Sequence, residues 1–207
     1  VNEHVLIPRQ DTEILVEEVL KELHDGMRVL DMCTGSGCIL LSLLHYSNDC
    51  EGLGVDLSAE ALEVAGRNVL KVLTPEKAEH AHFLQSDLFE KVEGKFEIIV
   101  SNPPYIASAE VEKLMPEVRD HEPRMALDGT EDGLYFYRRI IEEAGKHLVS
   151  SGMLFFEIGY DQGQAVSELM RTEGYCDVQV VQDYAGLDRV VFGTYVTVQP
   201  APFAKSR

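Results

Sequence analysis

The 207-residue chain is long enough for one sizeable domain, and its 45% apolar content is ordinary for a globular core. Its 36 acidic residues against 18 basic ones give a formal charge of −18, which opposes non-specific binding to a phosphate backbone and favours a cationic small ligand. No apolar run approaches the roughly 18 residues that span a bilayer, and no signal peptide is visible.

Short apolar runs alternate with longer amphipathic stretches. "PRQDTEILVEEVLKEL" sets apolar residues 15, 16, 19, 20 and 23 on one face, with Asp11 and Thr12 as cap candidates, and predicts a helix. "MRVLDMC" predicts a buried strand, "CILLSLLHY" a helix and "CEGLGVDL" a second strand. "SAEALEVAGRNVLKVL" predicts a helix capped by Ser58, followed by the strands "AHFLQSD" and "KFEIIVS". Residues 107–130 are polar and irregular, and a loop of that length in a compact domain is usually functional. "DGLYFYRRIIEEAGKHLV" predicts a helix, "GMLFFEIG" a strand and "QGQAVSELMRTEG" a helix. "DVQVVQDYAGLDRVVFGTY" predicts two strands joined around "AGLD", and residues 197–207 a mobile tail. The alternation implies an α/β fold with a mainly parallel sheet and an antiparallel edge hairpin.

Cys33, Cys38, Cys50 and Cys176 form no C-x-x-C pair, and no histidine lies at metal-ligand spacing from them. They are read as buried thiols of a reducing, cytoplasmic compartment, with no metal site. The chain opens on Val1 rather than Met, and is expected to be a piece of something longer.

Three strand ends carry polar groups. In "VLDMCTGSGCILL" the loop Cys33, Thr34, Gly35, Ser36 and Gly37 joins a strand to a helix behind Asp31. Glycines there let the backbone turn tightly and approach a ligand, or simply make a tight connection. "GVDLS" ends the next strand with Asp56 and Leu57, about 20 residues beyond the loop, where a carboxylate can accept from both hydroxyls of a ribose. "QSDLF" adds Asp87 and Leu88; Asp87 is placed to accept from an adenine amino group, or to serve as an ordinary turn residue. The dinucleotide fingerprint asks for a third glycine where Leu40 stands, and Asp31 would repel a phosphate. S-adenosylmethionine has an amino group, a sulfonium, a ribose and an adenine but no phosphate, and fits Asp31, Asp56 and Asp87 better than a dinucleotide does.

"FEIIVSNPPYI" ends the fourth strand on two prolines, which cannot continue a sheet ladder. In a doubly wound sheet the first and fourth strands flank the ligand crevice, so this turn belongs beside the glycine loop. An amide or aromatic-amine nitrogen is a poor nucleophile because its lone pair is delocalised. The Asn102 side-chain oxygen can accept one of its N–H groups and the Pro103 carbonyl the other, turning the lone pair toward a methyl donor. Pro104 stiffens the turn, and Tyr105 offers a ring face to a planar acceptor.

In this order, "DMCTGSG", "GVDLS", "QSDLF" and "SNPPY" resemble the Rossmann-like class I S-adenosylmethionine methyltransferases that methylate amino groups. "LIPRQDTEILVE", "HEPRMALDGTEDGLYFYRRII" and "DYAGLDRVVFGTY" resemble segments of the release factor glutamine methyltransferases within that class. The resemblance runs from about residue 4 to 196. It implies a seven-stranded sheet with helices on both faces, formed by residues 27–196 behind a linker and helix at 1–26. It implies methyl transfer to the glutamine of the Gly-Gly-Gln motif in peptide chain release factors, with S-adenosylhomocysteine as product. It implies cofactor contacts at Cys33–Gly37, Asp56, Leu88 and Asn102, and substrate contacts at Asn102, Pro103, Pro104 and Tyr105. The family carries an N-terminal helical domain that helps bind the release factor, and this chain reads as the catalytic part, expected to be a monomer.

Two positions depart from the family pattern. Gln10 stands where proline is common, and Cys33 where glycine is common; a thiol fits there if its φ is negative. The competing readings are an amino methyltransferase for adenine or guanine in DNA or RNA, a module that only binds the cofactor, and a dinucleotide oxidoreductase. The charge and the absence of a basic, aromatic-interleaved stretch disfavour the first. The intact Asn102–Tyr105 turn disfavours the second, and Leu40 with Asp31 the third. His121 and Glu122 are read either as cleft-lining or as solvent-exposed loop residues.

Overall fold

A computed structural model describes residues 1–196; the tail expected at 197–207 lies outside them. In chain order the elements are α1 (Thr12–Glu22), β1 (Arg28–Met32), α2 (Cys38–Tyr46), β2 (Glu51–Asp56), α3 (Ala59–Val72) and α4 (Pro75–Ala78). Then come β3 (Ala81–Gln85), β4 (Phe96–Ser101), α5 (Ser108–Val111), α6 (Pro116–Arg119), α7 (Arg124–Leu127) and α8 (Tyr135–Ala144). The chain continues through β5 (Leu148–Glu157), α9 (Gly163–Thr172), β6 (Tyr175–Gln182) and β7 (Asp188–Tyr195).

The strands form one seven-stranded sheet in the order β3-β2-β1-β4-β5-β7-β6. Pairings from β3 to β5 are parallel, and β7 runs antiparallel to both neighbours. The reversed strand is therefore second from the edge: β7 inserts beside β5, and β6 forms the edge. The order reverses between β1, which ends at Met32 just past Asp31, and β4, which ends at Ser101 just before Asn102.

Alternating strand residues feed two cores, as a sheet covered on both faces requires. Val29, Ile98, Val100 and Phe155 pack with Ile14, Leu15 and Val19 of α1 and the apolar face of α2. Leu30, Met32, Ile99 and Phe156 pack with Tyr137 and Ile140 of α8 and Val166 of α9. Residues 1–26 thus bury their helix in the same core as the sheet.

Three local expectations change. Asp11 makes no side-chain cap bond to α1 and instead pairs with Arg189 at 3.3 Å. The helix expected over 132–149 stops at Ala144, and β5 starts at Leu148, passing Ser151 with φ 64° where the β4–β5 register shifts. Residues 107–130 contain three four-residue helices, α5, α6 and α7. Ser58 caps α3 as expected, its hydroxyl accepting from Ala61 N at 3.0 Å. All four cysteines are free, but only Cys50 is buried; Cys33 and Cys38 are partly so and Cys176 is exposed.

Candidate active site

The glycine loop leaves β1 and doubles back over the end of β2. Gly35 has φ 54° and Gly37 φ 77°, a region open to glycine at little cost. Cys33 also has φ 63°, so the condition for an easy fit, a negative φ, is not met: the thiol occupies a left-handed position where a Cβ is strained. Burial, reinforced by Asp56 and Asp31, pushes its thiol far above the ordinary range, so Cys33 stays protonated.

Asp31 lies beneath the loop rather than facing the cleft. It is fully buried; Oδ2 accepts from Thr34 Oγ1 at 2.6 Å and Leu40 N at 3.3 Å, while Oδ1 has no partner. Burial raises its pKa to about 7, against the two hydrogen bonds that lower it. The folded chain therefore holds a proton that the unfolded chain has released by pH 5. The contribution of this group to stability is fully present at and below about pH 4 and is lost as pH rises to about 7. The part due to this group is up to about 4 kcal/mol, and Asp31→Asn should flatten it. Denaturant titrations at pH 5 and pH 8 measure the difference.

Asp56 ends β2 facing the loop and accepts from Gly35 N at 2.8 Å and Ser58 N at 2.9 Å. Burial raises its pKa, opposed by those backbone donors and by Leu57 N. Each oxygen keeps further acceptor capacity. Asp87 accepts from Arg139 Nη1 at 2.9 Å, so the carboxylate already has a cationic partner. Leu88 beside it is buried with φ 46°.

These groups share one cleft of about 990 Å³, part of it open to solvent. Cys33 to Ser36 form one wall, Asp56 and Leu57 a second, Asp87 and Leu88 a third, and Asn102 with Pro104 stands at the end of β4. Asp31, Gly37, Pro103 and Tyr105 do not line it. The last two lie behind Asn102 and Pro104 in the same turn.

That turn is held from several sides. Ser101 Oγ donates to Met32 O at 2.6 Å, tying the end of β4 to the end of β1. Gln162 Nε2 donates to Tyr105 O at 3.0 Å, and Ile106 forms a bridge with Asp128. Asp128 is fixed in turn by the Ser108 hydroxyl at 2.6 Å.

A roof over the cleft has no counterpart among the residues read from sequence. Its two sides are the arm before α1, with His4, Val5, Leu6 and Pro8, and the segment Pro123–Ala126. Arg9 and Glu122 form an ion pair across them, and Glu122 is buried, which removes the solvent-exposed reading. His121 is exposed. Of the arm, Val5 is buried and Leu6 partly so, while His4 and Pro8 are exposed.

The methyltransferase small domain family matches residues 9–118. The release factor glutamine methyltransferase of Thermodesulfovibrio yellowstonii is 45% identical over 90% of this chain and 67% of its own length. The enzyme of the same name from Clostridium acetobutylicum is 46% identical over 92% of this chain and 68% of its own. The chain belongs to the release factor glutamine methyltransferase family. It spans about two thirds of the length of these relatives. Among solved structures, a release-factor-specific protein-(glutamine-N5) methyltransferase from Alicyclobacillus acidocaldarius superposes with TM-score 0.54 at 30% identity, covering 92% of this chain and 95% of that one. A methyltransferase from Pyrococcus furiosus shares the fold at TM-score 0.65 and 16% identity, covering 93% and 89%. Among the described residues, no helix is long and apolar enough to cross a membrane. No described cluster of three or more His, Cys, Asp or Glu stands at metal-holding distance.

Proposed function

We propose that this chain transfers a methyl group from S-adenosylmethionine to the side-chain nitrogen of the glutamine in the Gly-Gly-Gln motif of peptide chain release factors. The observation that carries this reading is the juxtaposition of Asn102 and Pro104 with Gly35 and Asp56 at one cleft, in a chain of this family.

The cleft suits the cofactor. Asp56 offers acceptors to the two ribose hydroxyls, and Leu57 and Leu88 offer apolar walls to the adenine. Asp87 flanks the adenine edge, its charge balanced by Arg139. Thr34 to Ser36 lie against the amino-acid end. When bound, the cofactor supplies a methyl group on a sulfonium, and S-adenosylhomocysteine is the product.

The protein's work is on the acceptor. Asn102 Oδ1 and the Pro103 carbonyl accept the two N–H groups of the glutamine amide. Held this way, the nitrogen lone pair turns out of conjugation and toward the methyl group. Pro104 fixes the direction of the turn, and the Tyr105 ring packs on the amide plane. No side-chain base is required, because the methylated, still protonated amide is very acidic and passes its proton to water. Residues 27–196 act as the catalytic body with 1–26 as its leading arm, working as a cytoplasmic monomer.

The test is transfer of labelled methyl to three acceptors in parallel: an intact release factor, the same factor with its Gly-Gly-Gln glutamine replaced, and DNA. Label on the first alone is expected; label on DNA, or on both protein forms, overturns the proposal. Asp56→Ala should weaken S-adenosylhomocysteine binding roughly 10- to 100-fold, the value of one or two hydrogen bonds to a charged acceptor. Isothermal titration measures it, and unchanged affinity removes Asp56 from the ribose role.

A further inference from the structure

An amide side chain has two unlike ends, and only one suits the role proposed for Asn102. With Oδ1 toward the acceptor it receives an N–H. Turned half around, it presents donors to a group that itself donates. A fixed neighbour that only accepts would hold Nδ2 and settle the orientation.

Glu157 stands in that place. The β4–β5 register sets Phe156 opposite Ser101, so Asn102 and Glu157 are the next residues on adjacent strand ends. Glu157 is 1% exposed, and its Oε2 is buried without a hydrogen-bond partner. Asn102 and Thr12 lie close enough to hold the carboxyl's pKa down, without a hydrogen bond to Oε2. Its backbone is secured independently: Tyr137 Oη donates to Glu157 O at 2.9 Å, and Glu157 pairs with Val190 on β7. A buried carboxyl with an unused acceptor is costly, and Glu157 does not line the cofactor cleft.

We propose that Glu157 is a positioning residue for methyl transfer: its carboxylate accepts from Asn102 Nδ2 and keeps Asn102 Oδ1 turned to the acceptor nitrogen. This rests on the methyl-transfer reading above. Glu157 itself touches neither acceptor nor cofactor.

The role carries a pH signature. Burial pushes the Glu157 carboxyl up to about 7; Thr12, Arg189 of β7 and Asn102 oppose the rise, and Asp11 adds to it. The Tyr105 and Tyr137 phenols and the Cys38 thiol, which also face it, are raised by their own burial and keep their protons throughout this range. Once protonated, Glu157 can donate to Asn102 Oδ1 as readily as it accepts from Nδ2, and the orientation is no longer fixed. Turnover at saturating cofactor and release factor therefore rises with pH through about 7. Asp31 titrates nearby, but it lies under the cofactor loop. Its effect falls on cofactor affinity, which saturation removes.

The experiment measures kcat and KM for release factor between about pH 6 and pH 8.5, for the wild type and Glu157→Gln. S-adenosylhomocysteine titration and thermal melting accompany each point. At pH 8 the variant is expected to lose roughly tenfold or more in kcat, with cofactor affinity and release-factor KM within about twofold, and to lose the rise near pH 7. Near-normal kcat in the variant overturns the proposal, as does a kcat loss matched by lost cofactor affinity. A wild-type kcat flat across the range overturns it however the variant folds. Absence of transfer by the wild type at every pH strikes down the functional reading along with it.

Discussion

Replacing Asn102 with Ala should reduce turnover by roughly a hundredfold or more while leaving folding almost intact. The magnitude is that of removing one preorganised polar contact to a reacting group. The sheet does not depend on this side chain. The last ladder pair joining β4 to β1 is Met32 with Ser101, one residue earlier, and the two strand ends are tied there by the Ser101 hydroxyl. Asn102 does line the cleft, so cofactor affinity should weaken modestly, and the two effects are separable. Initial rates at saturating cofactor report the first; S-adenosylhomocysteine titration reports the second. A variant that methylates release factor at near-normal rate would remove Asn102 from the chemistry.

Gly133→Ala should be as damaging by a different route. Gly133 has φ 72°, and a Cβ built there would meet Tyr105 O at 2.3 Å and Gln162 Nε2 at 2.9 Å. The left-handed backbone costs a side chain about 1–2 kcal/mol, and overpacking about 1–3 kcal/mol more. A loss of roughly 3 kcal/mol in a denaturant titration is the expected outcome. The atom that must yield is the carbonyl of the acceptor turn, so turnover should fall further than stability alone explains. Gly35→Ala is the informative contrast. Its φ is 54°, but nothing lies within 4 Å of an added Cβ. It should cost less stability and act on cofactor binding, because the methyl would occupy the cleft.

The alternation of strands and helices is legible because each strand is a short apolar run and each long helix shows its own period. The polar residues at strand ends are legible for a related reason: in a parallel sheet every strand points its C-terminal end at the same crevice. Helices α5 to α7 escape because four residues are too few to display a helical repeat. The end of α8 escapes because Leu148 and Val149 are apolar on either reading, and only the bulge at Ser151 shows that they belong to β5. Contacts between distant segments leave no local trace. Arg9 meets Glu122 across 113 positions and Arg139 meets Asp87 across 52, so neither the roof nor the occupied state of Asp87 has a spacing to be read. Cys33 misled in a different manner: the loop's shape is set by its glycines, and a non-glycine residue inherits the left-handed position between β1 and the loop.

The acceptor turn lies in the middle of the chain, yet much of what restrains it arrives later. Gln162 grips Tyr105 across 57 positions, Gly133 packs against the same carbonyl, and Asp128 bridges Ile106. The glycine loop at the cleft is different: its contacts with Asp31, Asp56 and Val55 all lie before β4 begins. The two halves of the chain are therefore unequal partners at one cleft: the first secures the glycine loop by itself, while the second holds the turn and returns to the cleft through Pro123–Ala126 and Arg139. Substitutions at Asp128, Gly133 or Gln162 should therefore reach the turn first and leave the hydrogen bonds of the glycine loop in place.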